Sequence, residues 1–332
     1  MATRRGGNGP DMISGTGGAD NLFGNGGDDT LHGLGGHDML KGGAGNDILW
    51  GGGGNDILWG EDGDDILHGG SGNDQLGGGA GTNQLYGGDG DDVLIWNPAA
   101  IHVNDHAQLA MSTLDGGSGT DTLRLVNDTV VTTLAYDPET YDFVPVTVNS
   151  GTLIYLDDTI PAFNGAHRTV LMGDPSWETQ GVTSLGASIA GIERIEVSGG
   201  GPLTYYNATD QAMTVLGTSH ADVFTGGIAD EVLEGRGGGD TYMPGAGNDR
   251  IISAATGEDI FHFDFAGTGH DIITGWNAGD VLNVWGADPA ALPTLSTGVG
   301  TTTFAWVDGL GAAHSVTVDA TNLQAGQDYF FV

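Results

Sequence analysis

The sequence contains no cysteine among its 332 residues. Disulfide frameworks, thiol nucleophiles and cysteine-type zinc sites are therefore excluded. Basic residues are also scarce, since 8 Lys and Arg stand against 44 Asp and Glu, which gives a formal net charge of −36. Nucleic acid and anionic membrane surfaces repel such a chain and are not expected as partners. The uncompensated charge also opposes compaction unless cations bind.

Targeting segments and catalytic motifs are missing as well. No stretch approaches the roughly 18 apolar residues that a transmembrane helix requires, and no apolar segment follows Arg4 and Arg5 as in a cleaved signal peptide. H-E-x-x-H, G-x-S-x-G and phosphate-binding loops do not occur. His102 and His106 are four residues apart, but no third metal ligand lies near them, and a linker is the favoured interpretation. The sequence therefore predicts a protein that is not an enzyme.

Glycine is the abundant residue, with 63 copies, and it recurs with a nine-residue period. Position six of each repeat is acidic in eight of the first nine repeats and is Asn83 in the other, and position eight is always Leu. Nine repeats in register predict a solenoid rather than a flexible glycine-rich linker. The repeats run without a gap from Gly15 to Ile95 as GTGGADNLF, GNGGDDTLH, GLGGHDMLK, GGAGNDILW, GGGGNDILW, GEDGDDILH, GGSGNDQLG, GGAGTNQLY and GGDGDDVLI.

The spacing within a repeat predicts its structure. Six glycine-rich residues form a tight turn, because glycine accepts positive φ, and three residues then form a short strand whose central Leu is buried. Two repeats complete one coil, so stacked turns lie eighteen residues apart in sequence and about 4.8 Å apart in space. Carboxylates stacked at this distance repel one another unless a hard cation lies between them. Calcium fits, since it takes six to eight carboxylate and carbonyl oxygens.

The period stops and then returns. Residues 1–14 are interpreted as an N-terminal tail, 15–95 as the first repeat block, 96–214 as a β-rich insert with one isolated repeat at 116–124, and 217–261 as a second block. In the second block position six includes Glu231 and Glu258, with Asp259 displaced by one residue. Residues 262–332 are interpreted as a C-terminal cap and secretion signal. The predicted calcium ligands are Asp20, Asp29, Asp38, Asp47, Asp56, Asp65, Asp74, Asp92, Asp121, Asp222, Asp240 and Asp249.

These repeats resemble the RTX family of secreted bacterial proteins, also called hemolysin-type calcium-binding proteins. The resemblance implies a calcium-bound parallel β-roll. The predicted fold class is all-β, with this roll in two blocks that are separated by a β-rich insert and followed by a C-terminal cap, and with multiple Ca²⁺ ions bound. Because a wall one Leu thick is a poor core, we expect the first block to be disordered without calcium. Residues 262–286 resemble the segment that caps the roll in such proteins. The terminal residues 328–332 resemble the uncleaved signal of type I secretion substrates, and we therefore expect an extracellular or cell-surface location. Family members include proteases, lipases, toxins, epimerases and surface-layer proteins, so the resemblance alone does not select a function.

Aromatic side chains recur at position nine of the first block, on the predicted outer face. Alternate repeats place His32, Trp50, His68 and Tyr86 in one column. Packing against another part of the chain, a subunit contact and stacking on sugar rings are all compatible with this column. The favoured function is a non-enzymatic, calcium-dependent structural protein of a surface layer or matrix, which self-associates. The alternatives are an adhesin or accessory module that binds cell-surface polysaccharide, and a polysaccharide-modifying enzyme with its site in the insert.

Overall fold

The fold is known from a computed structural model, and the described residues are entirely β in their regular structure. The predicted all-β class is therefore confirmed, and these residues contain no helix long and apolar enough to cross a membrane. The chain divides into two compact units, Met1–Ser150 with Asp158–Gly200 and Gly151–Asp157 with Gly201–Val332. The described residues are 1–96, 112–127, 131–137, 142–148, 152–157, 168–172, 185–190, 192–199, 202–207, 211–254, 256–264, 269–286, 293–308 and 312–331.

The described residues of the first unit form two sheets, which are parallel except at β17, and a hairpin of β14 (Val131–Asp137) with β15 (Asp142–Val148). One sheet contains, in order, β1 (Thr3–Arg5), β3 (Asn21–Gly26), β5 (Met39–Ala44), β7 (Ile57–Asp62), β9 (Gln75–Ala80), β11 (Val93–Trp96), β13 (Thr122–Asn127) and β19 (Arg194–Gly199). The other contains β2 (Met12–Thr16), β4 (Thr30–Gly35), β6 (Ile48–Gly53), β8 (Ile66–Ser71), β10 (Gln84–Asp89), β12 (Ser112–Ser118), β18 (Leu185–Ala190) and the antiparallel β17 (Arg168–Met172).

The register of these sheets follows the eighteen-residue coil. Leu22 pairs with Leu40, and Leu40 pairs with Leu58. All nine Leu side chains at position eight are fully buried, because the strand period of two turns them inward while their neighbours face outward. The core of the first unit is therefore the Leu column that the sequence predicts.

Strands of the first block are longer than the predicted three residues. β3 to β10 have six residues each, because the backbone of positions one to three also pairs with the next coil, as at Gly43 and Glu61. The sequence-based tail also forms strands, since β1 pairs with β3 and β2 with β4. Residues 6–14 read GGNGPDMIS and are a further repeat, which the division from Gly15 missed.

The second unit has the same two-sheet arrangement, except that β30 runs antiparallel to both of its neighbours, β29 and β31. One sheet contains β16 (Thr152–Asp157), β20 (Leu203–Asn207), β22 (Val223–Thr225), β24 (Thr241–Met243), β26 (Ile260–Asp264), β28 (Val281–Trp285) and β32 (Tyr329–Phe331). The other contains β21 (Thr214–Leu216), β23 (Val232–Glu234), β25 (Arg250–Ile252), β27 (His270–Thr274), β31 (Ala313–Val318), β30 (Thr302–Val307) and β29 (Thr294–Thr297). Parallel coiling thus continues through β27 and β28, which the sequence analysis assigned to the cap.

Candidate metal centre

Position-six side chains form two rows along the turns of the first unit. The backbone amide of each member donates to Oδ1 of the member one coil further on, at 2.7–2.9 Å. The first row is Asp11, Asp29, Asp47, Asp65 and Asn83, and the second row is Asp20, Asp38, Asp56, Asp74, Asp92 and Asp121. Every carboxylate that the sequence predicts as a ligand in this unit therefore lies in a row.

The second carboxylate oxygen has no donor at most of these positions. Among the described residues, eight Oδ2 atoms of the two rows are buried and accept no hydrogen bond, although their residues are at most 2% exposed. Buried polar atoms are nearly always paired in native proteins, and a buried ionised carboxylate is costly unless a cation or donors meet it. The eight residues are Asp29, Asp38, Asp47, Asp56, Asp65, Asp74, Asp92 and Asp121.

Backbone oxygen atoms lie close to these carboxylate oxygens. A Cβ atom placed on Gly51, at position one of its repeat, would be 2.5 Å from Oδ2 of Asp56 and 2.6 Å from the carbonyl oxygen of Gly69. Glycine at position one thus leaves a space toward which a carboxylate oxygen and a carbonyl oxygen both project. At position four, Gly54 has a φ of +125°, which glycine adopts without steric cost.

Asn83 shows what the turn does when the carboxylate is replaced by an amide. Its Nδ2 lies 3.4 Å from the carbonyl oxygen of Gly79 and 3.5 Å from that of Gly81, and can donate to both. An aspartate at the same place presents an oxygen to these carbonyl oxygens, so the contact is repulsive unless a cation or a proton lies between them. The donors are oxygens alone, as calcium prefers. Among the described residues no three His, Asp or Glu side chains converge as a metal cage, so a calcium ion in these turns would need carbonyl oxygens as further ligands.

Burial and the proximity of like charges dominate the electrostatics of the rows. Burial raises the pKa of Asp65 and Asp74 from 3.8 to about 7, opposed by one amide hydrogen bond and reinforced by neighbouring carboxylates. The same causes raise the pKa of Asp47 and Asp92 to about 6. Without a metal ion, the folded turns therefore favour protonated carboxyl groups.

The calcium-free chain is expected to gain β structure when the pH is lowered. A carboxyl group whose pKa is higher in the folded state than in the unfolded state stabilises the folded state when it is protonated. This stabilisation is fully present below the unfolded-state pKa and is lost as the pH rises through the folded-state pKa. The window runs from about pH 4 to about pH 7 for the four carboxyl groups above. Far-UV circular dichroism in excess chelator checks this, with size-exclusion chromatography to detect precipitation near the isoelectric point. Loss of β structure on acidification would contradict it.

The second unit contains seven more buried carboxyl groups at equivalent turns. The predicted ligands Asp222, Asp240 and Asp249 are among them. Asp259, rather than Glu258, lies in a row, because this turn is one residue longer and leaves Glu258 exposed. Asp271 and Asp280 were missed, although residues 266–274 and 275–283 still place an acid at position six. The full set is Asp222, Glu231, Asp240, Asp249, Asp259, Asp271 and Asp280.

The predicted aromatic column is present on the outer face of the β4–β10 sheet. Ring centroids are 6.4 Å apart for His32 and Trp50, 3.8 Å for Trp50 and His68, and 4.8 Å for His68 and Tyr86, with planes within 14° of parallel. Trp50, His68 and Tyr86 therefore stack directly on one another, whereas the His32 ring is parallel but further away, and Trp50 remains 42% exposed. The pair His102 and His106 lies outside the described residues.

Comparison with known proteins places the repeats in a family. The family model of the RTX calcium-binding nonapeptide repeat matches in four copies, at residues 5–40, 41–76, 68–95 and 216–251. None of the curated proteins matches the chain. A solved structure, the extracellular lipase LipA from Serratia marcescens, aligns at 16% identity with a TM-score of 0.22, over 89% of this chain and 38% of the lipase. The chain thus spans well under half of that lipase. Residues 5–95 and 216–251 are therefore RTX calcium-binding nonapeptide repeats, and their described strands form the parallel coils of a β-roll.

Proposed function

We propose that this protein is exported by type I secretion and folds outside the cell when calcium occupies its turn rows. The observation that carries the proposal is the set of eight buried Oδ2 atoms without a donor in the described part of the first unit. A chain with a net charge of −36 folds more readily where calcium is plentiful, because binding neutralises the carboxylates that oppose compaction.

Each ion in the first unit would be held by the second oxygen of a row carboxylate together with carbonyl oxygens of the adjoining turns. Asp56 Oδ2 and the Gly69 carbonyl oxygen are one such pair. The ion would attract carboxylate and carbonyl oxygens that otherwise repel one another, and would thereby connect one coil to the next. Asp20 differs from its neighbours, because Thr16 donates to its Oδ2 through both the backbone amide and the hydroxyl group.

The role of the folded roll is proposed to be structural, as part of an extracellular layer or matrix. Continuous hydrogen-bonded ladders in both sheets support this role, since they give the regular, stiff scaffold that lateral assembly needs. The aromatic column supports it over sugar stacking. His68 covers one face of Trp50 and one face of Tyr86, so this column offers fewer open ring faces to a sugar than unstacked rings would.

Replacement of Asp56 by Asn tests the role of the rows. Asp56→Asn keeps the Oδ1 acceptor for the Asp38 amide but removes the charged oxygen. The calcium midpoint of folding is expected to rise about tenfold, equivalent to about 1.4 kcal/mol, as followed by far-UV circular dichroism. Asp62→Asn is the matched control, since it removes the same charge from an exposed turn side chain. Equal midpoints for the two variants would show that position six is not a ligand.

A further inference from the structure

The two carboxylate rows of the second unit differ in what meets the second oxygen of each member. We call Glu231, Asp249 and Asp271 the open row, and Asp222, Asp240, Asp259 and Asp280 the closed row. Amide-to-carboxylate hydrogen bonds of 2.8–2.9 Å connect successive members in both, and every member is at most 1% exposed. The rows are therefore equivalent in backbone geometry.

The open row repeats the arrangement of the first unit. Among the described residues, Oε2 of Glu231 and Oδ2 of Asp249 and Asp271 accept no hydrogen bond. Asn207 holds the other oxygen of Glu231 at 3.1 Å. Burial, reinforced by the neighbouring carboxyl group of Asp249, raises the pKa of Glu231 and of Asp271. Buried neighbouring carboxylates repel one another unless a proton or a cation neutralises them.

In the closed row, the chain supplies its own donors. The Thr218 amide donates to Oδ2 of Asp222 at 2.6 Å, and the Asn277 amide donates to Oδ2 of Asp280 at 2.8 Å. The remaining two Oδ2 atoms accept from hydroxyl groups, Tyr242 to Asp240 at 3.4 Å and Ser253 to Asp259. Every second oxygen in this row therefore has a hydrogen-bond donor, and a cation could bind there only by displacing that donor.

Aromatic rings also fill the space beside the closed row. Phe224, Tyr242 and Phe261 each lie two residues after a row member. Their rings stack in series, with centroids 5.0 Å apart for Phe224 and Tyr242 and 5.1 Å apart for Tyr242 and Phe261, and Trp276 continues the stack 5.5 Å from Phe261. A Cβ on Gly217 would be 2.8 Å from Cζ of Phe224, so the ring edge reaches the space that stays open in the first unit. The residues at this position beside the open row are aliphatic, namely Leu233, Ile251 and Ile273.

We infer that the second unit binds calcium along the open row only, beside the second carboxylate oxygens of Glu231, Asp249 and Asp271, and that the closed row binds none. In the closed row, hydroxyl groups, amides and the ring stack hold the coils together where cations do so elsewhere. This inference rests on the proposed calcium function of the rows. It retains Asp249 as a ligand, removes Asp222 and Asp240 from the predicted set, and adds Glu231 and Asp271.

Calcium counting by equilibrium dialysis of the full chain with radioactive calcium tests the inference. Asp249→Asn and Asp240→Asn are matched variants, nine residues apart at the same repeat position, and both keep the Oδ1 acceptor. Asp249→Asn is expected to lose at least one bound ion, while Asp240→Asn retains the number of the unaltered chain. Loss of an ion in Asp240→Asn, or no loss in Asp249→Asn, would overturn the inference.

Two further variants keep the experiment decisive. If circular dichroism shows that Asp249→Asn does not fold in calcium, Glu231→Gln carries the same expectation of a lost ion with a smaller disturbance of the row. Asp56→Asn serves as the reference in the first unit. Ion loss in Asp56→Asn without loss in the open-row variants rejects this inference alone, whereas no loss in Asp56→Asn rejects the proposed function.

Discussion

Removal of calcium by a chelator at pH 7.5 is expected to abolish most of the β structure of residues 15–95, and excess calcium is expected to restore it. The nine position-eight Leu side chains form a core only one residue thick, which is too thin to offset the conformational entropy of ordering the repeats. Without cations, the eight buried Oδ2 atoms, which accept no hydrogen bond in the described structure, also carry uncompensated charge when they are ionised. Far-UV circular dichroism across a calcium titration measures the effect.

Magnesium is the control for this titration. It requires a tighter octahedron than calcium and retains its waters, so it is expected to restore little β structure at the same concentration. A chain that keeps its full β signal in chelator at pH 7.5 would show that the rows do not depend on calcium.

Alanine at position one is expected to have the second large effect. The new Cβ in Gly51→Ala would lie 2.5 Å from Oδ2 of Asp56 and 2.6 Å from the Gly69 carbonyl oxygen, so it occupies the space on which the proposed ligands converge. Overpacking of this kind costs about 1–3 kcal/mol, and the calcium midpoint should rise about tenfold or more. The midpoint is read from the same titration.

Gly53→Ala provides the comparison within the same repeat. Its Cβ would meet only the Ser71 hydroxyl group, at 3.4 Å, and position three already carries Ala44 and Ala80 in other repeats. Its stability should stay within about 0.5 kcal/mol of the unaltered chain. If both alanine variants shift the midpoint equally, the space at position one is not part of the ion site.

The nine-residue period was sufficient to predict the parallel coils, the Leu column and the location of every position-six carboxylate in the first block. These features depend on local turn chemistry and on the strand period of two, both of which are written in each repeat. The repeat at residues 6–14 was available from the same pattern but was read as a tail. Asp271 and Asp280 were obscured by extra residues between turns, which shift the register without ending the coil.

The difference between the two rows of the second unit could not be predicted from position six alone. It depends on side chains that meet the carboxylate from other positions, such as Thr218 and Ser253. It also depends on rings of the core, such as Tyr242, that reach across the turn. Such contacts are set by how coils stack, so a pattern of single repeats contains the acids but not their partners.

The central claim is that calcium ions occupy the turns beside the second carboxylate oxygens. Anomalous diffraction from crystals of the calcium-loaded chain tests it most directly. Peaks are expected beside Oδ2 of Asp38, Asp56 and Asp74, bounded by position-one glycines such as Gly51, and none is expected beside the closed row at Asp222 and Asp240. A calcium-loaded structure with these first-unit oxygens unoccupied would contradict it.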